Sequence, residues 1–183
     1  MNGANIVIRP AIASDARKLN AYVRHIFETS EHLITRPYEF RTGVFRQRMW
    51  IAGKAANPYE ICLVAIDGTD IVGMIDSWTD RRERVKHVTT FAMSVHPNWH
   101  SQGIGHKLLT SFIDWVRNNP RLEKIQLHVH ADNEKALALY EKCGFEQEGV
   151  RQRAIRYNKN SFTDDILMAY WPNSSGVENI EGE

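Results

Sequence analysis

The chain of 183 residues is 43% apolar and 25% charged, the balance of one soluble globular domain large enough to bury a real core. Its formal net charge of +1 speaks against nucleic acid as a partner, which would call for a basic excess, and its two cysteines, Cys62 and Cys143, make no CxxC pair and no disulfide framework. The opening residues lack the apolar core of a signal peptide and no apolar run reaches the ~20 residues of a membrane span, so a cytoplasmic protein with reduced thiols and no membrane partner is expected.

In chain order, "NIVIRPA" reads as a first strand stopped by Pro10. Ser14 or Asp15 is a candidate cap for a helix in which Leu19, Tyr22, Val23, Ile26 and Phe27 recur at helical spacing. Pro37 breaks an irregular stretch. A second helix is expected from Phe40 to Ile51, with Val44, Phe45, Met49 and Trp50 sharing a face, and "GKAANP" closing it. Two strands follow, "YEICLVAID" and "DIVGMIDSWTD", joined by a tight turn at Asp67-Gly68. The basic tip "RRERVK" reads as a solvated hairpin end before a third strand, "HVTTFAMSV".

Next comes "VHPNWHSQGIGHKLL", residues 95–109: the end of a strand, a proline, Gly-Ile-Gly, and then a helical stripe of Ile104, Leu108, Leu109, Phe112, Trp115 and Val116. "EKIQLHVHA" alternates as a strand does, so strand, glycine turn, helix and strand form a βαβ unit with two parallel strands. "DNEKALALYEKCGF" is a further helix, capped by Asp132 or Asn133 and ended by Gly144. Two final strands, about 145–157 and 162–170, flank a turn at "NKNS". A single domain over residues 1–172 is expected, with a loose acidic tail over 173–183.

The glycine turn carries the chemistry. A helix start leaves backbone N–H groups without partners at the positive end of the helix dipole, and phosphate is their common guest. Glycine lets the guest approach because no Cβ intervenes. Two phosphate motifs fail on spacing. A P-loop needs Gly before its Lys, but His106 precedes Lys107; a dinucleotide fingerprint needs a third glycine where Leu108 stands.

"VHPNWHSQGIGHKLL" resembles motif A of the GCN5-related N-acetyltransferases, [RQ]-x-x-G-x-[GA], with His100 in place of the first Arg or Gln. "DNEKALALYEKCGFEQEG" is similar to the second signature of that family, an Asn before a helix that carries a Tyr and ends in Gly-Phe. The likeness covers roughly residues 5–171. It implies an α/β (α+β) fold: a mixed, mostly antiparallel sheet of about seven strands with four helices, and a parallel pair at the glycine turn.

The resemblance also implies acetyl-CoA as the acetyl donor. Its pyrophosphate would lie on His100, Ser101, Gln102, Gly103, Ile104, Gly105, His106 and Lys107, and its pantetheine along main-chain groups of Met93 and Val95. The Val95 N–H would donate to the developing oxyanion. Asn133 would hydrogen-bond the coenzyme as well as cap its helix. Tyr140 would act as the acid toward the leaving thiolate, although its spacing with Ala136, Leu137 and Cys143 equally suits a core position.

The implied reaction is direct attack of a primary amine, which must first lose a proton. Glu28, Glu31, Asp76 and His87 are the candidates for that base, with Glu28 favoured. The acceptor is left open between a small molecule such as an amino acid or polyamine and a peptide or protein N-terminus. A homodimer is implied by resemblance alone. No metal is expected: His128 and His130 lie two apart on a polar strand face, without ligands at metal spacing. Cys143 reads as packing. Trp78 is the tryptophan placed to touch substrate. A different class of function, an acyl-CoA-binding sensor or interaction module without turnover, fits the same motifs.

Overall fold

A computed structural model describes residues 6–173; most of the expected acidic tail lies outside them. The elements run β1 (Val7–Pro10), α1 (Ala16–Thr29), α2 (Val44–Ala56), β2 (Cys62–Asp67), β3 (Asp70–Thr79), β4 (Val88–Val95), α3 (Ile104–Arg117), β5 (Lys124–His130), α4 (Glu134–Lys142), β6 (Glu146–Asn158) and β7 (Ser161–Tyr170). The seven strands form one sheet in the order β1-β2-β3-β4-β5-β7-β6. Every neighbouring pair is antiparallel except β4 and β5.

Alternation along the strands sends side chains to two cores. On one face Leu63, Val72, Ile75, Phe91, Ile125, Leu127 and Val129 meet the α3 stripe and Tyr140 of α4. On the other, Cys62, Val64 and Ile71 meet Leu19, Tyr22 and Ile26 of α1 and Ile51 of α2. α3 lies tight on the sheet. A Cβ on Gly73 of β3 would stand 2.9 Å from Leu108 Cδ1 and 3.3 Å from the Ser94 carbonyl oxygen, so glycine is what permits that approach.

Two local expectations are corrected. α2 starts at Val44, not Phe40, and runs on to Ala56. Its inner face is Gln47 and Ile51, while Phe45 and Met49 are 75% and 57% exposed and Val44 also faces out. Phe40 instead lies against Phe27 of α1, ring centroids 5.0 Å apart, and anchors the loop before α2. Nor does Ser14 or Asp15 cap α1 through its side chain. The Asp15 carboxylate reaches back to the Ile12 N–H at 2.8 Å and pairs with Arg9 at 2.7 Å, tying the end of β1 to the helix start.

Candidate active site

The β4–β5 ladder is short. It joins Val88–Thr90 to Lys124–Gln126, although β4 runs on to Val95 and β5 to His130. The C-terminal halves of these strands part and leave a gap in the middle of the sheet. The His96 N–H donates to the Val72 carbonyl on the β3 side at 2.8 Å. By strand alternation, Met93 and Val95 therefore turn their N–H and C=O groups into the gap. The ring Nε2 of His100 lies 2.8 Å from the Val95 carbonyl oxygen. A carbonyl only accepts, so Nε2 carries the proton. His100 thus folds the loop back onto the end of β4.

The turn into α3 needs two left-handed residues, Ser101 (φ 60°) and Gly103 (φ 77°). The first helical hydrogen bond runs from the Lys107 N–H to the Gly103 carbonyl at 3.0 Å. The N–H groups of Ile104, Gly105 and His106 thus have no acceptor within the helix. The two glycines do different work. A Cβ on Gly103 would meet nothing within 4 Å, so open space lies over it and its glycine is set by the backbone. A Cβ on Gly105 would meet Leu139 Cδ2 of α4 at 3.1 Å, with Met93 and Val95 just beyond. Three amides without partners among the described residues, at a helix N-terminus flanked by exposed His106 and Lys107, fit a diphosphate.

On the α3–α4 face, Tyr140 is 7% exposed, its ring 5.9 Å from both Phe91 and Phe145. Burial pushes its hydroxyl well above the usual phenol range, so it stays protonated. Among the described residues, Asp76 Oδ1 is the one sealed side-chain polar atom outside good hydrogen-bond geometry, although Lys54 Nζ approaches it to 2.8 Å as an ion pair. The Tyr140 hydroxyl has no hydrogen-bond partner among the described residues. Asn133 caps α4, its Oδ1 accepting from the Ala136 N–H at 3.3 Å. Cys143 ends the same helix as a partly buried thiol whose pKa burial raises, the reverse of an activated nucleophile.

On the opposite face, α1 is tied to the end of β4. The Tyr22 hydroxyl lies 2.9 Å from Ser94 Oγ, and the rings of His25 and His96 stack at 4.5 Å. The segment after α1 then crosses to the far side of the gap. His32 meets His130 of β5 edge-on at 5.9 Å, and Arg36 Nη2 donates to the Tyr157 carbonyl of β6 at 3.0 Å. Beneath this strap lies a cleft of about 360 Å³ whose walls include Glu28, Glu31, His32, Arg36, Asp132 and Tyr157. Both glutamates are exposed.

The remaining candidates are dispersed. Asp76 lies on β3 beside Lys54 of α2, 2.8 Å away, and desolvation raises its pKa to about 6. His87 precedes β4, at the end of the strand remote from the gap. Trp78 is 43% exposed and lines a separate depression of about 380 Å³ with Thr90 and Gln126. His128 pairs with Asp165 at 2.9 Å, and among the described residues no cluster of three metal-ligating groups exists. The sequence offered no signal for one arrangement at the cleft wall: His130 Nδ1 lies 2.9 Å from the Tyr157 hydroxyl, which donates to Asp132 Oδ1 at 3.0 Å. Its members come from β5, β6 and the loop before α4.

Comparison with known proteins bears on the family and the fold. A sequence model of the acetyltransferase (GNAT) family matches residues 22–145. The L-amino acid N-acetyltransferase AaaT of Escherichia coli is 32% identical over 121 residues, 66% of this chain and 74% of that protein. A GNAT-family acetyltransferase from Streptococcus pneumoniae superposes with a TM-score of 0.88 at 25% identity, covering 91% of this chain and 99% of that one. The yncA structure from Salmonella typhimurium, solved with its cofactor acetyl-CoA, superposes with a TM-score of 0.82 at 16% identity, covering 94% and 96%.

Proposed function

The chain belongs to the GNAT acetyltransferase family, and from that premise we propose that it acetylates the primary amine of a small molecule, an amino acid foremost, by direct attack. One observation carries the reading: three amides at the start of α3, without partners among the described residues, stand beside the end of β4 where that strand has parted from β5. Acetyl-CoA, when bound, supplies an acetyl group activated as a thioester.

The chain's own residues divide the work. The amides of Ile104, Gly105 and His106, with the His106 and Lys107 side chains beside them, hold the diphosphate by hydrogen bonds and by the helix dipole. Met93 and Val95 offer main-chain groups to an extended guest lying in the gap, as an added strand would. The Val95 N–H is the donor for the carbonyl oxygen as its charge grows, an effect worth roughly 3–4 kcal/mol in other enzymes. Tyr140, protonated and buried, gives its proton to the departing sulfur. Glu28, Glu31 and Asp132 draw a cationic amine into the cleft, and Arg36 on the same wall suits a carboxylate, so the pair of charges fits a zwitterion. The E. coli relative named for L-amino acid acetylation supports that class of acceptor.

A thiol-release assay against a panel of amino acids, polyamines and short peptides tests the reading. Faster release with amino acids than with polyamines is expected. Tight coenzyme binding with no amine accelerating release would replace it with an acyl-CoA-binding module.

A further inference from the structure

An acceptor ammonium must lose a proton before it can attack, and exposed carboxylates at the cleft rim recruit a cation more readily than they neutralise it. Resting on the reading above, we infer that His130 is the catalytic base that takes this proton, held in the required tautomer by Tyr157 and Asp132.

The hydrogen bonds fix the tautomer. Tyr157 has one hydroxyl proton and gives it to Asp132 Oδ1. The Tyr157 oxygen can then only accept from His130, so Nδ1 of His130 carries the ring proton. Nε2 is left with a free lone pair. His130 is 5% exposed, yet Nε2 makes no hydrogen bond within the described residues and is not among the sealed, unsatisfied atoms. Through Nδ1 the ring stands one hydrogen bond behind Tyr157 of the cleft wall.

Position agrees. His130 is the last residue of β5, where that strand has parted from β4, and it lies on the sheet face covered by the strap. In the step, an N–H bond of the ammonium breaks, its electron pair stays on nitrogen, and the proton joins Nε2 to give an imidazolium. The Asp132 carboxylate stabilises that cation through Tyr157. The groups around the ring are His32 on the strap, Asp132 and Tyr157 at the cleft, Asp165 across on β7, and His128 two residues back. Burial first, then His32, lowers the pKa of His130, so the neutral base is the form present at neutral pH.

Two measurements decide the matter. The first needs no coenzyme: nitrogen NMR of histidine-labelled protein at neutral pH. His130 is expected as the Nδ1–H tautomer, and Tyr157→Phe should convert it toward Nε2–H. Finding Nε2–H in the native protein would overturn the inference. The second is the pH profile of kcat/KM for the best amine. His130→Asn keeps an N–H to offer Tyr157 but has no base. It should lose about 10²- to 10⁴-fold at neutral pH, recover as pH approaches the amine's own pKa, and bind coenzyme A within about twofold of the native protein. Tyr157→Phe should show a smaller loss in the same direction. A native-like profile in His130→Asn would sink the base assignment and leave the proposed function standing. No acetyl transfer by the native protein would sink both.

Discussion

His100 donates from Nε2 to the carbonyl oxygen of Val95 across 2.8 Å, so the residue expected to face phosphate is spent on shaping the loop beneath it. Removing the ring with His100→Ala frees the Val95 carbonyl and loosens the path from β4 to the glycine turn. One such hydrogen bond is worth about 0.5–1.5 kcal/mol, so coenzyme affinity should fall by roughly 2- to 13-fold in a calorimetric titration. Native coenzyme affinity in His100→Ala would contradict that account.

The two glycines of the turn should respond differently to alanine. Gly103→Ala forces a Cβ into a left-handed conformation at φ 77°, at a cost of about 1–2 kcal/mol, although nothing lies within 4 Å of it. Gly105→Ala meets only the flexible tip of Leu139 at 3.1 Å. Denaturant unfolding should therefore show the larger stability loss at Gly103.

Tyr140→Phe separates chemistry from packing. The hydroxyl makes no hydrogen bond among the described residues, and the ring contacts with Phe91 and Phe145 survive the change. Stability and coenzyme binding should be nearly native. Turnover should fall by about 10²- to 10⁴-fold if this hydroxyl is the acid. Native turnover would return Tyr140 to the core.

The buried pair of Lys54 and Asp76 makes a prediction about stability and pH. Asp76 has its pKa raised to about 6, chiefly by desolvation, so the folded state holds this proton more tightly than the unfolded chain. Its contribution is greatest below about pH 4 and is lost as pH rises toward 6. Lys54 limits that loss from 2.8 Å away. Lys54→Met should accordingly destabilise the protein more at pH 8 than at pH 5 in urea unfolding. Equal losses at both would show that the pair is not coupled.

The fold was readable where its signals were local. The glycine turn, the α3 stripe, the cap at Asp132 or Asn133 (Asn133 in the structure) and the Gly144 stop each sit within a few residues, and each appears in the structure. α2 was misread because its inner face holds a glutamine, Gln47, while Phe45 and Met49 point outward; periodicity marks apolar residues, not the side that gets buried. The cleft was harder. Glu28 and Glu31 do line it, but His130, Tyr157 and Asp132 meet only because β5 and β6 both flank β7, a juxtaposition no spacing rule contains.

The central claim is that the unpartnered amides at the start of α3 hold the diphosphate and so aim the acetyl group into the gap between β4 and β5. Amide NMR during a titration with coenzyme A tests it directly. The largest shifts should fall on Gly103, Ile104, Gly105 and His106, followed by Met93 and Val95. Shifts centred elsewhere, with these amides unmoved at saturation, would contradict it.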